Sequence, residues 1–118
     1  MNTYPIIKEL HPQHTRNKSF YHKAFTVETE TKIYLFSYHT NVAILDKINS
    51  IIINTWDGYS NTTSKHIHDF CLQCGDTSYS KKEWEKLYNP KDKIYLNDFD
   101  SLALIKIMEI VNKQIITL

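Results

Sequence analysis

The stretch "KIYLFSYHTNVAILDKINSIIIN", residues 32–54, decides the fold. It contains three runs rich in β-branched and aromatic residues, "KIYLFSY", "NVAIL" and "SIIIN", and short polar segments separate them, as is typical of antiparallel hairpins. Upstream, "SFYHKAFTV" begins at Ser19, alternates between two faces and predicts another strand, and "ETET" supplies the turn that follows. We therefore expect about four strands over residues 19–54, joined in order as a small antiparallel sheet.

Helical periodicity replaces this alternation in the second half of the chain. Gly75 suits the end of a first helix, Ser80 and Glu83 have the spacing of a capping box, and Asp98 or Asp100 opens a last helix. The fold class is therefore expected to be α+β, with helices packed on the sheet. Two to three helices are predicted, at about residues 61–74, 81–88 and 100–113.

The 118 residues are expected to form a single domain, because chains of this size rarely divide. Residues 1–18 contain Pro5 and Pro12 and have no regular period, so we expect an irregular N-terminal arm there. Residues 19–88 form the predicted core. Residues 89–118 form a C-terminal extension, in which "KIYL" predicts a short strand before the last helix.

Charge is balanced, with 14 Lys and Arg residues against 13 Asp and Glu residues. Composition therefore excludes binding to nucleic acid through overall basicity, although it leaves a local basic patch open. The N-terminus lacks the pattern of a signal peptide, and Lys106, Glu109 and Lys113 interrupt the most apolar segment. We expect an intracellular protein with reduced cysteines and no membrane partner.

The segment "HIHDFCLQCGD", residues 66–76, resembles a zinc site because it holds two histidines and two cysteines. On one continuous helix, however, the four side chains spread over roughly half of the circumference, and His66 and Cys74 lie about 12 Å apart along the axis. Such a helix cannot bring all four to one metal ion. A metal site built on His68, Cys71 and Cys74 with ligands from elsewhere is the weak alternative.

An apolar stripe explains the cysteines better than a metal does. Ile67, Phe70, Cys71 and Cys74 follow the spacing of one helix face, which predicts two thiols packed in the core. A redox pair is disfavoured, because this CxxC motif lies at the end of its helix, where the helix dipole does not favour a thiolate.

The predicted sheet offers one candidate surface for nucleic acid. Lys23 lies near Tyr34 and Tyr38 in the sequence, so basic and aromatic side chains interleave and are able to hold phosphates and stack bases. An ordinary sheet, with aromatic residues inward and lysines in water, is the alternative reading. No nucleophile elbow, phosphate-binding loop or metalloprotease motif occurs, so we expect no catalytic residues and no cofactor.

Four segments of the chain, "NKSFYHKAFTV", "LFSYHTNVAIL", "WDGYSNTTSKHIHDFCLQCG" and "SKKEWEKL", resemble a family of small proteins of phages and mobile elements from gut and related bacteria. The shared pattern is roughly SFYGKA, SY-x-T-x-VA, GYS-x-TT-x-HI-x-x-F and SKKEW, over about residues 17–87. Where the family usually has Gly, this chain has His22. His68, Cys71 and Cys74 also depart from the pattern, so a metal site on them would not be a family property.

The resemblance carries no established activity, but it singles out the "GYSNTT" segment for a role in binding. Its hydroxyl groups either cap the helix or bind a ligand at the helix start. The candidate binding residues are therefore Tyr59, Ser60, Thr62, Thr63 and His66, together with Lys23, Tyr34 and Tyr38 of the sheet.

Three classes of function are expected from these observations. The first is a non-enzymatic accessory protein in the cytoplasm of a bacterial host, which binds a host protein or nucleoprotein complex; its most concrete form is an inhibitor of a nucleic-acid-targeting defence complex, of the anti-CRISPR or anti-restriction type. The second is a small nucleic-acid-binding module. The third is a small metal-binding protein or metal-free phosphodiesterase. The apolar last helix also predicts an exposed apolar surface that is covered either by a second copy, in a homodimer, or by a larger partner protein.

Overall fold

The computed structural model describes the backbone of residues 4–116, and the side chains of residues 4–95 and 97–110. The α+β fold class is confirmed: a five-stranded antiparallel sheet is followed by three helices. The strands neighbour one another in chain order, as the sequence predicts. Their bounds are β1 Ile6–Glu9, β2 Ala24–Glu28, β3 Lys32–Ser37, β4 Thr40–Asp46 and β5 Ile51–Asn54.

The helices are α1 Asn61–Gly75, α2 Lys81–Lys86 and α3 Ser101–Ile116. The capping box of α2 is confirmed, since Ser80 Oγ accepts from the backbone N–H of Glu83 and the Glu83 carboxylate accepts from the backbone N–H of Ser80. Asp100 opens α3 by accepting from the backbone N–H of Ala103 at 2.8 Å. None of the helices within the described residues has the length and hydropathy to cross a membrane.

The sheet lies between two helical layers. On one face α1 and α2 cover a cluster that includes Leu35, Ala43 and Phe70. On the other face α3 inserts Ile107 into a cluster that includes Phe25, whose ring stacks on Phe36 at 5.2 Å between centroids. Because strand side chains alternate between faces, the near-continuous apolar strands at the centre of the sheet supply both clusters.

Strand β1 corrects the prediction that residues 1–18 form an irregular arm. Ile6–Glu9 pair antiparallel with β2, Ile7 opposite Val27. Four residues after a proline are too short to show a period, and the strand exists because the edge of β2 is available to pair. Gln13 and His14 are also held, since Asp69 Oδ1 accepts from their backbone N–H groups at 2.8 and 3.0 Å.

The strand predicted from Ser19 begins only at Ala24. Tyr21 and His22 have positive φ angles of 54° and 62°, so the chain turns where the alternation of side chains predicted a strand. A glycine would adopt this left-handed backbone at the position of His22 without the steric cost of a side chain. The left-handed residue at the end of α1 is Asp76 rather than Gly75.

The short strand predicted at "KIYL" is also wrong. One 3₁₀ turn, Pro90–Asp92, precedes this segment, and a second, Leu96–Asp98, begins at its last residue. The backbone N–H of Ile94 donates to the Asn41 side chain at 3.2 Å instead of joining the sheet. Asn41 is itself buried beside the register shift after Leu35, where its amide donates to the Leu35 carbonyl at 3.0 Å. A buried amide thus satisfies the backbone groups that a regular strand would have paired.

Candidate binding groove

A surface groove of about 500 Å³ lies between the start of α1, the loop before it and the start of α2. We call it the aromatic groove, because four aromatic side chains line it together with two lysines and a histidine. Its defining residues are Trp56, Tyr59, Lys65, His68, Tyr79, Lys81 and Trp84.

Trp56 is held in place by a backbone hydrogen bond and by the glycine two residues later. Its backbone N–H donates to Asn54 Oδ1 at 3.0 Å. A Cβ atom on Gly58 would lie 2.3 Å from Cζ2 of the Trp56 ring, closer than any real contact. A side chain at residue 58 would therefore displace the Trp56 ring, because the indole packs directly against the backbone there.

Trp84 is held on the α2 side of the groove. Its backbone carbonyl accepts from the amide of Asn54 at 2.9 Å, so Asn54 bonds to both tryptophan residues of the chain. The Trp84 ring packs on Tyr79 with 5.8 Å between ring centroids. These contacts tie α2 to the end of β5 and fix the distance across the groove.

Tyr59 presents an aromatic ring to solvent in a fixed orientation. The side chain is 59% exposed, yet its hydroxyl donates to Asn61 Oδ1 at 3.0 Å. The ammonium group of Lys81 lies 4.3 Å from the ring centroid, within cation–π distance. These contacts to the hydroxyl and to the ring therefore reduce the conformational entropy that Tyr59 would lose on binding a ligand.

The groove is positively charged relative to the rest of the balanced chain. Lys65 and Lys81 both line it and are exposed, and His68 is half-buried beside them. Among the described residues that line the groove there is no carboxylate. The lysines thus have no acidic neighbour within the groove to neutralise them, which favours a ligand that carries negative charge.

The hydroxyl groups of "GYSNTT" act mainly within the protein. Ser60 caps α1, since its Oγ accepts from the backbone N–H of Thr63 at 3.0 Å. Thr63 is buried, and its hydroxyl shares a hydrogen bond of 2.9 Å with Ser37. Thr62 is exposed and does not line the groove. Of the residues predicted from this segment, Tyr59 and Ser60 line the groove and Thr63 belongs to the core.

His66, also predicted as a binding residue, is a core residue. It is fully buried, its Nδ1 is hydrogen-bonded to Ser37 Oγ at 2.8 Å, and Phe20 contacts it edge-on at 4.5 Å between centroids. Burial lowers the pKa of His66 from 6.5 to about 4, with the charge of Lys23 acting in the same direction and that of Asp69 opposing it. The imidazole is therefore neutral at physiological pH, which a buried site without a salt bridge requires.

The sheet surface predicted for nucleic acid is not available, because helices cover both faces. Tyr34 is only 9% exposed and contacts Phe99 edge-on at 6.2 Å, beneath the layer of α3. Lys23 and Tyr38 do lie together, with the Lys23 ammonium 5.7 Å from the Tyr38 ring. Neither residue lines the aromatic groove.

The two thiols pack in the core as the apolar stripe predicted. Cys71 is buried with Ile67 and Phe70, and Cys74 packs against the same cluster. Burial raises the pKa of Cys71 to about 12 and also raises that of Cys74, so both remain thiols. Within the described part of the chain, no group of three or more His, Cys, Asp or Glu side chains is placed to hold a metal ion. The alternative site on His68, Cys71 and Cys74 is therefore not assembled.

Residues 8–86, more than half of the chain, match a family of unknown function, DUF8033. The chain belongs to this family. The DUF8033 segment contains β2 to β5, α1, α2 and every residue that lines the aromatic groove, whereas α3 lies outside it. No curated protein and no solved structure matches the chain.

Sequence reasoning missed Trp56, Trp84, Lys65 and Lys81 as candidate site residues. A signal was present, since the chain has two tryptophans, and they lie next to the tyrosine of "WDGYS" and in the capped segment "SKKEW". These segments are far apart in the sequence, and in the fold Asn54 joins them through its hydrogen bonds to Trp56 and Trp84.

Proposed function

We propose that this protein is a non-enzymatic accessory protein of a phage or mobile element, which binds a host macromolecule through the aromatic groove. In its most concrete form, it inhibits a nucleic-acid-targeting defence complex of the anti-CRISPR or anti-restriction type. The observation that supports binding is the groove itself, which combines fixed aromatic rings with unneutralised lysines at the surface.

Aromatic side chains contribute most of the binding energy at many protein interfaces, above all where they form a pocket. Trp56 and Trp84 lie half-buried in the groove, and Tyr59 extends from its edge. A core role does not account for Tyr59, because more than half of its surface is exposed. Its hydrogen bond and its contact with Lys81 hold it ready for a partner.

The physical cause of the largest pKa displacements favours binding over catalysis. Catalytic groups are usually perturbed by burial together with a specific charged partner, inside a cleft. His66 and Cys71 have the largest displacements from their ordinary pKa values, and burial is the main cause in both. These displacements reflect packing in the core.

One observation favours a second candidate function. His68, Lys65 and Tyr79 line the same groove, and such side chains are able to cleave a phosphodiester without a metal. Incubation of labelled RNA with the protein tests this alternative. Cleavage that His68→Gln abolishes would establish the enzyme, and intact RNA would eliminate it.

Comparative affinity capture from the bacterial host tests the proposed function. The groove variant is the double substitution Tyr59→Ala and Lys81→Ala. The matched control is Tyr95→Ala and Lys91→Ala, which removes a tyrosine of equal exposure, 60% against 59%, and an exposed lysine outside the groove.

A partner recovered with the wild type and the control but lost with the groove variant supports the proposal. A partner recovered equally with all three proteins contradicts it. Far-UV circular dichroism and the melting temperature of each variant establish that it is folded.

A further inference from the structure

The ligand of the aromatic groove has a chemistry that its lining residues specify. The groove has room for a small organic group, since its volume of about 500 Å³ lies within the range of small-molecule sites. It is open at the surface, between two helices and a loop, so a chain can pass through it and place one or two of its units inside. The question is which chain carries rings and negative charge together.

We propose that the aromatic groove binds single-stranded nucleic acid, with a base stacked on Tyr59 and the adjoining phosphates held by Lys65 and Lys81. This inference rests on the proposed function and names the class of ligand. It moves the surface for nucleic acid from the sheet, where α3 covers Tyr34, to the groove.

The arrangement of rings supports this ligand. Every base presents a flat face, and stacking of one base on an aromatic side chain contributes about 1–3 kcal/mol. Tyr59 is exposed and held at its hydroxyl end, and the indole of Trp56 lies against Gly58 nearby. The bases of a single strand are free to leave their own stack and lie on such rings, whereas those of a duplex are not.

The arrangement of charge supports the same ligand. The ammonium group of Lys81 lies over one face of the Tyr59 ring, 4.3 Å from its centroid, so a base stacked on the opposite face has this cation close to its phosphate. Lys65 projects from the first turns of α1 into the same groove. An acidic peptide would also satisfy the lysines, but its carboxylates carry no flat face for Tyr59, so we favour the nucleic acid.

Fluorescence anisotropy of labelled deoxythymidine and uridine oligonucleotides, titrated with the full-length protein at several salt concentrations, tests the inference. Two lysine–phosphate contacts predict a slope of about −1.4 in a plot of log affinity against log salt. Tyr59→Ala should weaken binding by about 5- to 150-fold, the equivalent of one stacked base. Lys65→Ala and Lys81→Ala should each reduce the magnitude of the slope by about 0.7.

Two further variants separate stacking from loss of structure. Tyr59→Phe keeps the ring and should bind within a few-fold of the wild type. The control Tyr95→Ala and Lys91→Ala should leave both affinity and slope unchanged. Equal binding by Tyr59→Ala and the wild type would overturn the inference, as would tighter binding of a duplex than of a single strand.

The outcomes also separate this inference from the proposed function. One outcome is that no oligonucleotide binds, whereas an acidic, tryptophan-containing peptide does and Tyr59→Ala abolishes its binding. The ligand is then a protein, so the inference is wrong while the groove keeps its proposed function in binding. If neither binds and affinity capture is independent of the groove, both are wrong. Cleavage of the uridine oligonucleotide would support the ligand class and contradict a non-enzymatic role.

Discussion

The buried histidine of α1 predicts how the stability of the protein depends on pH. In the unfolded chain the His66 imidazole has an ordinary pKa of 6.5, whereas burial lowers it to about 4 in the folded protein. Between these values the unfolded state binds a proton that the folded state does not. The free energy of unfolding must therefore fall as the pH falls from 6.5 to about 4, and the stability contributed by the neutral imidazole is fully present only above pH 6.5.

The magnitude follows from the size of the displacement. One pKa unit corresponds to about 1.4 kcal/mol, so the difference between 6.5 and about 4 represents a loss of about 3 kcal/mol. This is a large share of the stability of a domain of this size, which is typically about 5–15 kcal/mol. The surroundings favour the full value, because the ring is fully buried between Phe20 and Ser37.

Urea unfolding at a series of pH values measures this effect, with His66→Gln as the test variant. The substitution removes the titrating group, so the variant should be less stable than the wild type at neutral pH but should lose less stability on acidification. His68→Gln is the matched control, because it removes a histidine from the same helix and leaves the His66–Ser37 pair intact. It should keep the wild-type slope.

Two surface carboxylates lose their stabilising contributions only at lower pH and do not obscure the result. Hydrogen bonds from Asn49 lower the pKa of Asp46, and hydrogen bonds from Ser80 lower that of Glu83. Their contributions are present above their ordinary pKa values of 3.8 and 4.5 and are lost below them, equally in the wild type and both variants. Identical slopes for the wild type and His66→Gln between pH 6.5 and 4.5 would refute the assignment of His66 as a buried neutral base.

Three further predictions follow from the packing. Gly58→Ala should displace the Trp56 ring, shift the tryptophan fluorescence spectrum and weaken oligonucleotide binding without a change in far-UV circular dichroism; an unchanged spectrum would contradict the contact at 2.3 Å. Cys71 should react with a thiol reagent only when the protein unfolds and later than Cys74, because its pKa is about 12 and it is the more buried thiol; equal rates in the folded protein would contradict this. Apolar side chains on α3 are exposed, which is consistent with the predicted homodimer. Light scattering should then show a dimer that Ile105→Glu converts to a monomer. A monomeric wild type would exclude the homodimer.

Features that depend on local sequence could be predicted, and features that depend on tertiary pairing could not. The stripe from Ile67 to Cys74 and the capping box at Ser80 are local, and both have the predicted role. Strand β1 was missed because four residues form a strand only when the edge of β2 is present. The start of β2 was placed too early because side-chain alternation does not reveal the left-handed backbone at Tyr21 and His22.

In the candidate site, too, features of the local sequence could be predicted and contacts between distant segments could not. Tyr59 is a candidate from the sequence because it lies in a distinctive segment, but its contact with Lys81 of α2 depends on the tertiary structure. Ser60, Thr63 and His66 lie in the same segment and face inward or cap the helix, which the order of residues alone does not distinguish. The groove exists only after β5, α1 and α2 have assembled.

The most direct test of the groove is a ¹H–¹⁵N correlation spectrum of the full-length protein, recorded during titration with a short deoxythymidine oligonucleotide. The chain has two tryptophans and both line the groove, so the two indole N–H signals report on this surface. We predict that both indole signals shift in a saturable manner while the backbone signals of Lys91 and Tyr95 stay in place. Unshifted indole signals, with changes at Lys23 and Tyr38 instead, would contradict the assignment of the aromatic groove as the binding site.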